Sequence, residues 1–104
     1  LELTGCKKVT GAGLALLAAL TALEHLTLRW CAVITDTGLA RLKPLTALRH
    51  LDLMGCGEVT DAGLDNLSEM KSLKQLFLAH SETTGTGRLF LRQALGECTI
   101  TPDP

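Results

Sequence analysis

The chain has 104 residues, a formal net charge of −1 and 20% charged residues, with no acidic tail and no basic arm to suit it to nucleic acid. Its aromatics are Trp30, Phe77 and Phe90, with no tyrosine, so the stacking platforms of single-strand binders are missing too. The longest uncharged run, residues 9–23, has 15 residues, short of the roughly 20 that a helix needs to cross a bilayer, and no basic n-region opens the chain. Neither a membrane segment nor a signal peptide is therefore expected.

Leu-x-Leu returns at positions 1, 26, 51 and 76, a period of 25 residues. Self-similarity at such a period predicts an α/β solenoid of strand-turn-helix coils, none of which can bury its apolar face alone. The expected organisation is a single domain over 1–104, with coils 1–25, 26–50 and 51–75, a C-terminal cap coil 76–100 and a polar tail 101–104. In such a right-handed βα superhelix a parallel sheet lines the concave face and helices the convex face.

Each coil opens with two strand leucines at period 2, which point inward together and leave the flanking residues outward. Then come Cys6, Cys31 and Cys56 in a turn. Thr10, Thr35 and Thr60 follow as helix N-caps. Asp36 and Asp61 take the first helical position, where the helix dipole favours a carboxylate. Leu14 and Leu17, Leu39 and Leu42, and Leu64 and Leu67 form helical pairs three apart. The later leucines keep a strict spacing of three that would drift around a helix, so the helices are expected to end near Ala19, Lys43 and Ser68, with Pro44 supporting the second boundary.

The fourth coil departs from the pattern: Ser81 replaces the cysteine, and the spacing shortens by one, so Leu91 falls where Leu67 does. A helix from about Arg88 to Leu95 and a capping role are expected.

The pattern as a whole, above all Cys56-Gly57-Glu58-Val59-Thr60-Asp61-Ala62-Gly63-Leu64, resembles the cysteine-containing subfamily of leucine-rich repeats across coils one to three and part of the fourth. The resemblance implies a recognition arm. Such arrays are best known as the substrate-binding part of F-box proteins in ubiquitin ligases, and similar ones occur in bacterial proteins and, as short arrays, in small mitochondrial assembly factors.

Three in-register cysteines spaced by about 4.8 Å per coil span roughly 10 Å, too far to converge on one zinc ion. A buried, reduced thiol ladder in the cytoplasm is the expectation, with Cys98 outside the register and partly exposed. His25 and His50 begin adjacent strands and Asp52 shares their face, but two histidines without a third ligand read as a solvated polar row more readily than as a metal site. No serine or cysteine nucleophile lies on that face, so catalysis is not expected and no cofactor is implied.

The function that follows is non-enzymatic binding of a protein or peptide partner on the strand face. Three outward rows compose it: His25, His50 and Gln75; Glu2, Thr27, Asp52 and Phe77; and Thr4, Arg29, Met54 and Ala79. Met54 and Phe77 are diagonal neighbours, apolar where water is expected. Trp30 stands at the strand exit where other coils have Gly5 and Gly55, either exposed beside Arg29 as a hot spot or folded over the Cys31 edge. Two alternatives remain: a ligase substrate arm, or an assembly factor stacking, or self-associating, through an uncapped first coil at Leu1.

Overall fold

The computed structural model describes residues 1–3, 5 and 11–102. Thr4, Cys6 and Thr10, to which the repeat assigns an outward position, a thiol and a helix cap, lie outside the described residues.

Within those residues the leucine pattern forms strands β1 (His25–Thr27), β2 (His50–Asp52), β3 (Gln75–Phe77) and β4 (Thr99–Thr101), paired in parallel in chain order. The register follows the repeat, with Leu26 beside Leu51, Leu51 beside Leu76 and Leu76 beside Ile100. Leu1–Leu3 extends the sheet through a bridge from Glu2 to Thr27, with Leu3 N–H donating to Thr27 O and Thr27 N–H to Leu1 O. Residues 99–101, expected to close the cap coil and begin a polar tail, instead add a further strand. Thr-Ile-Thr keeps the period-2 alternation, and Ile100 is buried in the leucine position.

Helices α1 (Gly11–Leu17), α2 (Asp36–Leu39, continued by a 3-10 turn over Ala40–Leu42), α3 (Asp61–Leu67) and α4 (Gly85–Leu95) pack against one another in sequence. The first three end within two residues of the expected boundaries. The fourth begins three residues before Arg88, because Thr84 caps it, its hydroxyl accepting from Gly87 N–H at 3.1 Å. Thr35 and Thr60 do the same for α2 and α3, accepting from Gly38 and Ala62 N–H at 3.2 Å each.

The core is a stack of leucine rungs. Leu26, Leu51 and Leu76 from the sheet, Leu39, Leu42 and Leu67 from the helices, and Leu45, Leu48 and Leu73 from the returning loops are all fully buried. Each such side chain contributes about 1.5–3 kcal/mol on leaving water, and none can do so without the coil beside it.

Asp36 and Asp61 do more than complement a helix dipole. Asp36 accepts Thr60 N–H at 2.8 Å on one carboxylate oxygen and the Thr60 hydroxyl on the other. Asp61 holds Thr84 in the same way, at 2.8 and 2.6 Å. The first carboxylate of each helix thus fastens the cap of the next. Gly63 and Gly87 make room for it: a Cβ there would lie 2.4 Å from the Asp36 carboxylate and 2.2 Å from that of Asp61.

The thiols form part of this inter-coil bonding. Cys31 Sγ donates to Leu3 O at 2.9 Å and Cys56 Sγ to Leu28 O at 3.1 Å, one coil back in each case. Both are buried. Cys98, expected partly exposed, is only 4% exposed, because β4 folds it into the core behind α4. Burial pushes the Cys56 and Cys98 thiols from 9.0 up to about 11 each.

In the last coil Arg88 occupies the register of Leu39 and Leu64, one residue early. Its Nη1 donates to Thr83 O at 2.9 Å and to Thr83 Oγ1 at 3.0 Å.

Candidate functional site

Parallel pairing at a 25-residue offset sets equivalent side chains side by side, and the outward rows form as the repeat predicts. His25, His50 and Gln75 line up with Thr99, and Thr27, Asp52 and Phe77 with Thr101. In the third row, Arg29, Met54 and Ala79 lie in the turns that follow consecutive strands, linked through Trp30 N–H to Met54 O and Gly55 N–H to Ala79 O.

The rings on this face meet. His25 and His50 have centroids 5.6 Å apart, and His50 and Phe77 5.3 Å apart and tilted. His50 Nδ1 lies 2.8 Å from Gln75 Oε1. An amide oxygen only accepts, so the imidazole donates and its orientation is set. Phe77 and Met54 are each half-buried, and the Phe77 ring lies against that of His50.

Asp52 is corrected from a solvated member of the second row to a buried one, at 1% exposure. Its carboxylate accepts Arg29 Nε on one oxygen and Met54 N–H at 3.0 Å on the other. A buried carboxylate needs such partners. Asp52 therefore anchors Arg29, whose side chain is 45% exposed, and is itself out of a partner's reach.

Trp30 is exposed, the first of the two orientations expected for it, and it also lies over a turn. Position 5 of the coil is left-handed throughout the described residues: Gly5 has φ 68°, Trp30 58°, Gly55 78° and His80 60°. The turn thus demands a conformation that suits glycine, and Trp30 and His80 adopt it with side chains that meet over Gly55. Their rings stack with centroids 5.6 Å apart, and a Cβ on Gly55 would lie 2.1 Å from the indole. The tryptophan is laid along the turn edge, 51% exposed.

Where the strands begin, a shallow groove of about 450 Å³ adjoins the first row, lined by Glu24, His25, Arg49, His50, Lys74, Gln75 and Thr99. A second groove of about 430 Å³ lies between α3 and α4 on the opposite side, with Phe90 at its rim. No group of three or more histidine, cysteine or carboxylate side chains is placed to hold a metal among the described residues, and the Asp52 carboxylate is occupied by Arg29. No helix is long and apolar enough to cross a membrane among them either.

Three features escape a reading of the repeat: the burial of Asp52, the ring stack over Gly55, and the groove at Arg49. The first two had a signal, since Asp52 lies two residues before Met54 and one strand from Arg29, and Trp30 and His80 both replace the turn glycine. The third had none, because Arg49 and Lys74 precede the strands and read as solvated loop.

A family model described as a leucine-rich repeat matches residues 19–43 and 45–68. No curated protein matches the chain. Repeats of this kind are generally protein–protein interaction modules.

Proposed function

Because the chain is a leucine-rich-repeat protein, we propose that it is a non-enzymatic module that binds a partner protein across its strand face. The observation that carries the reading is the contiguous cluster of His25, His50 and Phe77 rings on that face. Aromatic groups on a polar surface, with an arginine beside them, have the composition of an interface hot spot. Arg29, held by Asp52, sits next to Met54 in the third row, while Thr27 and Gln75 supply hydrogen-bonding groups between the rings. Trp30 extends the surface at the strand exit, already immobilised against His80. Groups held in place before binding lose less side-chain entropy in the complex.

The ligase-arm alternative is the same surface with a substrate as its partner, so one experiment serves both. Tagged wild-type chain, Phe77→Ser, His50→Ser and the helix-side control Leu16→Ser are used for affinity capture from source cells, with quantitative mass spectrometry and circular dichroism as a fold check. Proteins retained by wild type and Leu16→Ser and lost from both strand-face variants are the expected result. Capture that survives in the folded strand-face variants, or is lost with Leu16→Ser, overturns the reading.

A further inference from the structure

We infer that the groove where the strands begin is a receptor for a carboxylate side chain of the partner, with Arg49 at its centre. The inference rests on the strand-face reading above and names one chemical feature of the partner. The groove, about 450 Å³, is continuous with the ring cluster through His25 and His50.

Its lining is rich in donors. Arg49 is exposed and belongs to neither ion pair found among the described residues, which are Arg29–Asp52 and Lys74–Glu97. Its guanidinium has five N–H groups in a planar fork and no acceptor. Since His50 donates to Gln75 Oε1, the Gln75 amide keeps its NH2 for another acceptor. Lys74 and the Thr99 hydroxyl complete the far end. Against the two cations, Arg49 and Lys74, the lining holds one carboxylate, Glu24. Glu97, which pairs with Lys74 at 3.2 Å, is 87% exposed and outside the lining.

A monoanion suits this balance best. A planar carboxylate takes two parallel N–H bonds from an arginine fork. A doubly charged phosphate would meet the same fork, but two cations against one carboxylate balance one negative charge and not two. The fit is therefore an aspartate or glutamate of the partner seated on Arg49, with its neighbouring residue toward His50 and Phe77.

The test is an NMR titration of isotope-labelled full chain with acetylated hexaglutamate, with hexalysine, hexaglutamine and inorganic phosphate as comparisons. Saturable shifts at Arg49, Gln75 and Thr99 amides and the His50 ring are expected from hexaglutamate and not from the other peptides. Arg49→Gln should weaken that binding about tenfold, and Arg49→Lys, which keeps the charge but not the fork, should weaken it less. No shifts at these residues, equal shifts from hexalysine or hexaglutamine, or affinity within about twofold in Arg49→Gln would overturn the inference. So would phosphate binding as tightly as the peptide. None of these outcomes bears on the strand-face reading, which stands or falls with capture by Phe77→Ser and His50→Ser.

Discussion

Gly63→Ala should destabilise the protein, although helix propensity alone says the opposite. Gly63 is the third residue of α3, and replacing a helical glycine by alanine normally gains about 1 kcal/mol. Here the new Cβ would lie 2.4 Å from Asp36 Oδ1 and 3.0 Å from Leu39 Cδ1. A carboxylate at the end of a free side chain would swing aside at little cost. Asp36 is not free, because its two oxygens hold the backbone N–H and the hydroxyl of Thr60. Moving it gives up two bonds to a charged acceptor, each worth about 1.5–3 kcal/mol, and the half-buried setting argues for the lower end, about 3 kcal/mol for the pair. The net is a loss of about 2 kcal/mol, read from urea unfolding by far-ultraviolet circular dichroism. In an Asp36→Ala background the obstacle is gone, and the same Gly63→Ala change should be neutral or stabilise by up to about 1 kcal/mol. The reversal of sign is a coupling of about 3 kcal/mol. A stabilising effect in the wild-type background, or the same effect in both, would refute the inter-coil carboxylate as the cause.

Gly55→Ala adds a Cβ 2.1 Å from the Trp30 indole at a φ of 78°, so it should displace the ring, red-shift the emission of the chain's one tryptophan and cost about 1–2 kcal/mol from the backbone alone; unchanged emission would mean the ring does not rest there. Leu51→Ala, at the centre of the sheet and fully buried, should cost about 2–5 kcal/mol in chemical denaturation, whereas Leu16→Ser, 79% exposed on α1, should stay within about 0.5 kcal/mol. The Cys56 and Cys98 thiols, raised from 9.0 to about 11 by burial, keep their protons in the folded state where the unfolded chain has lost them. Their contribution to stability is therefore full below about pH 9 and falls between pH 9 and 11, by up to about 1.4 kcal/mol per pH unit per thiol. Cys56→Ala/Cys98→Ala should flatten that part of the unfolding profile, and an unchanged slope would contradict it.

Periodicity alone determined the architecture. Leucines at period 2 and then at spacings of three, repeated every 25 residues, leave one way to bury every apolar face, and that is to stack coils in register. The outward rows follow from the same register, which is why His25, His50 and Gln75 could be named as neighbours. Thr35 and Thr60 were legible as caps because their chemistry is local. Interactions between coils were not, since a pattern averaged over one repeat says nothing of how a side chain reaches the next. The Asp36–Thr60 and Asp61–Thr84 bonds, the pairing of Asp52 with Arg29, and the stack of Trp30 on His80 each join residues some 23 to 50 positions apart. The same limit hid β4. The shortened fourth coil replaces the leucine by Ile100 and the cysteine by Ser81, so the strand is held by pairing with β3 and burial of Ile100, with no repeat signature of its own. Where the backbone goes was set by period and polarity along the chain; which outward side chains are free to meet a partner was decided by contacts across coils, because only there does Asp52 lose its solvent while Arg49 stays outside the ion pairs among the described residues.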